Sequence, residues 1–196
     1  MGSEATAFEY AMGLFSVLIG LAIIDVATSF HRLMRHRHTV QWDALTLGAA
    51  IYALCTAIYM WFDLWGVRHF AATRQFLFYL GLVAEFFVMF LAAAASLPDE
   101  ADKSTDLRLY YNKNRRYFWS LMAIFQFGYF AFGLYFAGGD SENLSRLVLV
   151  LSYVIMTAPL IVSAALIVLK SRAAHWVGLS LLFGVMILHY GAARIT

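Results

Sequence analysis

Glu85 is the residue in this 196-residue chain whose setting most calls for chemistry. It lies near the middle of an unbroken apolar stretch, Phe76–Leu97, and no Lys or Arg inside any apolar stretch is placed to neutralise it. A carboxylate at mid-bilayer costs about 2.5–3.5 kcal/mol on insertion scales. It persists if it is protonated, hydrogen-bonded inside a helix bundle, or used to handle a cation. Burial disfavours the charged form, so a central acid held near neutrality can take up and release a proton, or trade a proton for a cation. Gln126, at matching depth in the fourth apolar stretch, is placed to orient such an acid by hydrogen bonding.

Two polar stripes accompany it. Asp25, Thr28, Ser29 and Arg32 recur at i, i+3, i+4 and i+7, which puts them on one face of a helix. Tyr52, Thr56, Tyr59 and Asp63 recur at i, i+4, i+7 and i+11 on another. Together with Glu85 and Gln126 they make a candidate path for protons or a small cation. The ordinary alternative is local: Thr and Tyr in membrane helices bond a backbone carbonyl or a neighbouring helix, worth about 0.6 kcal/mol on average. Solvation at the interface explains Asp63 equally well, and structural bonding explains Asp25. Pro159, inside the fifth stretch, removes one backbone bond and is expected to kink its helix or free a carbonyl.

Histidines suggest a second chemistry. His31 and His175 lie near one interface, His69 and His189 near the other, which is the layout of two stacked b-type haems held by facing histidine pairs. Interfacial histidines without a cofactor are the commoner case, so no cofactor is expected and haem b is the alternative. His36-Arg37-His38 has a short metal-ligand spacing, but its arginines repel cations and no metal site is assigned there. Cys55 is the single cysteine, which excludes a disulfide framework or a cysteine cluster. No phosphate loop, nucleophile elbow or H-E-x-x-H occurs. No catalytic residue is assigned, and an enzymatic role is not the expected one. The basic residues are juxtamembrane, which disfavours nucleic acid.

These residues need a membrane scaffold to position them. The chain is 62% hydrophobic and only 13% charged, too few charges to clothe a soluble domain, so most of its exterior faces lipid. Six apolar segments of spanning length emerge, at about 8–30, 44–65, 76–97, 118–137, 147–169 and 176–192. They predict an all-α bundle of six transmembrane helices forming one domain over 1–196. Gly66, Pro98 and Gly138-Gly139-Asp140 mark breaks. Ten of the fourteen basic residues fall in the first, third and fifth loops, which makes those loops cytoplasmic and both termini extracytoplasmic. Met1–Tyr10 carries Glu4 and Glu9 and no basic residue, so it is not read as a cleavable signal. The cytoplasmic loop 98–117 is expected to hold an amphipathic helix capped by Thr105 and running into the fourth span. Its Arg108, Tyr110, Tyr111, Arg115 and Arg116 suit the headgroup layer, or a lipid- or partner-facing surface. Gly13, Ser16 and Gly20, and Gly178, Gly184 and Gly191, offer close helix approach within the chain or in a homo-oligomer.

Phe8-Glu9-Tyr10 with Gly20-Leu21, the Trp61/Trp65 pair, and Asp106-Leu107-Arg108-Leu109-Tyr110-Tyr111 followed by Asn114-Arg115-Arg116-Tyr117-Phe118 resemble a broad group of small multi-spanning bacterial membrane proteins. The resemblance covers most of the first four spans. It implies a bacterial inner-membrane location and carries no activity. The leading expectation is proton or small-cation movement centred on Glu85. A di-haem electron carrier, or an accessory or scaffold subunit, are the alternatives.

Overall fold

A computed structural model describes residues 2–66, 76–100, 105–137 and 146–190, with side chains over 12–64, 76–100, 105–134 and 153–189. The described residues form six α-helices and no strand: α1 Gly2–Arg35, α2 Ala44–Gly66, α3 Phe76–Ala94, α4 Leu107–Ala137, α5 Arg146–Val168 and α6 Arg172–Tyr190. Five of them carry described stretches long and apolar enough to cross a membrane; the described side chains of α5 cover a shorter apolar piece, Tyr153–Val168. The chain is an all-helical, multi-pass membrane protein. Outward-facing Val17, Leu21 and Ile24 on α1 recur at helical spacing, which suits a lipid-facing stripe.

The helix ends depart from the apolar segments for local reasons. α1 continues past Phe30 to Arg35, because Arg32 and Arg35 in its last turn favour the negative end of the helix. α3 stops at Ala94, short of Leu97. There the Ser96 hydroxyl donates to Ala93 O (2.6 Å), and the Tyr110 hydroxyl is shared between Ala95 O and Leu97 O (3.1 and 2.9 Å). These bonds satisfy carbonyls that a continuing helix would have used. The amphipathic segment and the fourth span form one helix, as its pattern predicts. Its cap is Asp106, not Thr105: Leu109 N–H donates to Asp106 Oδ1 (3.0 Å), while Thr105 gives its carbonyl to Gln41 N–H (2.9 Å). α5 runs unbroken through Pro159.

The chain forms two compact units, Met1–Asn114 and Arg115–Thr196. In the first, α1, α2 and α3 pack on one another. Phe15 stacks on Phe86 (4.9 Å, 14°), and Ala22, Val26, Leu33, Val40, Ala50, Ala93, Leu97 and Leu107 share a buried cluster. Those two levels make α1 and α3 parallel, with α2 running against both.

In the second unit α5 packs on α6. Gly178 is buried against Leu166, whose two δ-carbons lie 2.9 Å from where a β-carbon would stand. A β-carbon at Gly133 would run into the Cε tip of the Met156 side chain, closer still. At Gly13, Gly20 and Gly184 a β-carbon would meet nothing within 4 Å among the described residues. Gly191 lies outside the described residues. Gly178→Ala is therefore expected to lower thermal stability in detergent. Overpacking of about 1–3 kcal/mol exceeds the roughly 1 kcal/mol that Ala adds to a helix, because both branches of the buried Leu166 block the methyl. Gly133→Ala should be neutral or mildly stabilising despite the shorter distance, because a thioether tip swings aside. Equal melting shifts for the two variants would contradict this assignment of packing.

Candidate functional site

Glu85 is 7% exposed. It belongs to the buried face of α3, Phe78, Leu82, Glu85, Phe86, Met89, Ala92 and Ala93, whose spacing is that of a helix seam. The side chain is therefore covered by protein and does not face lipid. Its sequence neighbour Phe86 lies in the stack with Phe15.

Asp25 stands at a different depth. It lies ten residues beyond Phe15 on α1, roughly 15 Å along the axis. The seam joining those levels is apolar: Ile19, Ala22 and Val26 from α1, Met89, Ala92 and Ala93 from α3, all buried. The Asp25 Oδ2 atom is buried and has no hydrogen-bond partner among the described residues. Its carboxyl group is in electrostatic range of Asp99 and Arg32. Arg32, at i+7, reaches over this end of α1, and its guanidinium donates to the Asp99 carbonyl. The tether that Tyr110 makes to Ala95 and Leu97 holds the same stretch of chain. Ser29 on the Asp25 face is 2% exposed, whereas Thr28 is exposed. The four-residue stripe is thus divided between an inward and an outward face.

The α2 stripe lies at intermediate depth. Tyr52 is buried, while Thr56, Tyr59 and Asp63 are half-buried. Ala50 and Ala93 belong to one cluster, so with α2 antiparallel to α3, Tyr59 reaches the level of Glu85 to within about a turn. Tyr52, Thr56 and Tyr59 therefore occupy the axial interval between the two acids. The Thr56 hydroxyl is committed to Tyr52 O (2.8 Å), the local bond that membrane threonines commonly make. Its remaining lone pairs can accept, but its proton is spent.

The second unit holds Gln126, His175 and His189. Gln126 is buried on α4, 5% exposed. His175 is buried on α6; its Nε2 lies 2.9 Å from Leu169 O, and its ring faces Trp119 at 6.3 Å. Arg115 donates to that same carbonyl. Helix α5 ends just before it, so a guanidinium and an imidazole gather at its negative end. His31 and His189 are exposed, and His69 lies outside the described residues. Among the described residues no group of three or more His, Cys, Asp or Glu could hold a metal ion.

The residues expected at a lipid or partner surface divide. Arg108 and Arg116 are exposed, as that role needs. Tyr110, Tyr111 and Arg115 instead turn inward, Tyr110 and Arg115 to the carbonyls named above and Tyr111 to 5% exposure. Backbone acceptors at the ends of α3 and α5 draw in Tyr110 and Arg115, and one-dimensional patterning does not locate those acceptors.

A polar cluster that sequence reasoning missed joins two loops. Asp43 caps α2: its Oδ2 accepts from Thr46 N–H (3.1 Å) and from the Thr46 hydroxyl (2.9 Å), and that hydroxyl also lies 3.0 Å from Leu107 O. Gln41 pairs with the Thr105–Leu107 backbone as a short parallel bridge. The signal was present as Asp43-Ala-Leu-Thr46 at the start of an apolar run. Comparison with family models, curated proteins and solved structures finds no match to this chain.

Proposed function

We propose that this protein moves protons or a small cation across a bacterial inner membrane, with Glu85 as the central acid and Asp25 at the cytoplasmic exit. The observation that carries the reading is the inward burial of Glu85 at a mid-span seam position. An acid retained there is a functional residue by default. The route follows α2 and not the apolar α1–α3 seam, because Tyr52, Thr56 and Tyr59 span the interval between the acids. Arg32, held on the Asp99 carbonyl beside Asp25, closes the exit and offsets the charge of its carboxylate. The orientation follows the basic residues of the odd-numbered loops, and the bacterial location follows the resemblance in the first four spans.

The test is flux in proteoliposomes containing a pH-sensitive dye, under imposed proton, sodium and potassium gradients. The parent protein should exceed protein-free vesicles under at least one gradient. Asp25→Asn should lower that rate about tenfold, the effect of roughly 1.4 kcal/mol in a barrier. A parent indistinguishable from empty vesicles under every gradient would sink the transport reading.

A further inference from the structure

The α1–α2 connection presents a surface that ion movement does not use. Phe30 and Trp42 are 42% and 40% exposed, and their rings meet at 6.2 Å and 60°. Beside them Arg35, His36, Arg37 and His38 are all exposed. Of the basic side chains here, Arg32 is committed to the Asp99 carbonyl.

The turn carrying these groups is built before any ligand arrives. His36 and Arg37 N–H bond Leu33 and Met34 carbonyls, and the Thr39 backbone and hydroxyl both return to His36 O. The Trp42 indole N–H donates to Arg37 O (3.2 Å), which ties the aromatic pair to the basic turn. The Gln41 bridge and the Asp43 cap fix the far side. Little backbone entropy remains to be lost on binding.

We infer that this turn is a binding site for a phospholipid with an anionic headgroup, in the leaflet that the α1–α2 loop faces. The lipid phosphate and its negative charge pair with the Arg35 and Arg37 guanidinium groups, which form bidentate bonds to phosphate. The indole N–H is already spent, so Trp42 contributes ring surface and not a hydrogen bond. An acyl chain follows the rings onto Ile23, which is exposed and lies seven residues from Phe30 on the same α1 face. Paired cations select against a zwitterionic headgroup, since each Arg near an anionic surface is worth about a fivefold change in binding. The proposal is independent of the transport reading: it concerns neither acid and is read without any gradient.

The experiment is tryptophan quenching by brominated phospholipid in vesicles. The share of Trp42 among the five tryptophans is isolated by difference from Trp42→Phe. A minority of brominated phosphatidylglycerol in unbrominated phosphatidylcholine should quench Trp42 beyond its bulk fraction, and the same fraction of brominated phosphatidylcholine should not. The double variant Arg35→Gln/Arg37→Gln should weaken the preference about tenfold or more. The Lys double variant should keep most of it, which separates lost charge from a lost fold. Equal quenching by both headgroups in the parent would overturn the proposal, as would a preference that persists in the Gln variant.

Discussion

Glu85→Gln is expected to abolish flux in proteoliposomes while the protein still folds and inserts. The amide matches the carboxyl group in shape and retains an acceptor oxygen, so packing around Phe78, Leu82 and Met89 has no reason to change. Its neutrality removes whatever desolvation cost the carboxylate carried, so thermal stability should be equal or higher. What the amide cannot do is bind and release a proton or balance a cation. Loss of a proton-transferring group typically costs about 10²–10⁴-fold, and a fall of at least the lower figure is expected here. Unchanged flux with an intact fold would remove Glu85 from the mechanism. A variant that fails to fold would assign the acid a structural tie between helices. Glu85→Asp then separates the two outcomes, since it keeps the ionisable group and shortens the reach.

The second large effect is structural. Asp43→Ala removes the cap of α2 and both bonds to Thr46, leaving a buried N–H unsatisfied. Loss of an N-cap costs about 0.5–2 kcal/mol, and a stranded buried donor lies in the upper part of that range. A loss near 2 kcal/mol corresponds to a melting shift of about 4–8 °C for a chain of this size. Asp43→Asn should restore most of it, because Asn caps as well as Asp. Since Gln41 and Thr46 also hold the Thr105–Leu107 backbone, the Ala variant should open this loop pair to proteolysis before the rest of the chain. Cleavage that begins elsewhere would show that the cap is not what holds the two loops together.

The candidate site was legible in part. Glu85 was found because an acid inside twenty apolar residues is an outlier in composition, and its inward direction was implicit in the spacing from Phe78 to Ala93. The Asp25 stripe was readable as a periodicity, but the division between buried Ser29 and exposed Thr28 was not. They flank the Asp25 direction, about 100° apart around the helix, and only the neighbouring elements decide which is covered. Tyr110, Tyr111 and Arg115 read from sequence as surface residues, because Tyr and Arg suit headgroups. Two of them found backbone carbonyls at helix ends, and a backbone acceptor has no letter in the sequence.

Taken alone, the sequence determined the number of helices, their apolar character and the acid buried among them. Those features rest on water-to-lipid transfer and on a 3.6-residue period, both of which act residue by residue. Tertiary structure decided the connections: Arg32 with the Asp99 carbonyl, 67 residues apart, and Thr46 with the Leu107 carbonyl, 61 apart. Such pairs arise only when packing brings distant backbone into reach, because a hydrogen bond is specified by ångströms and angle, whereas burial needs only the right kind of surface.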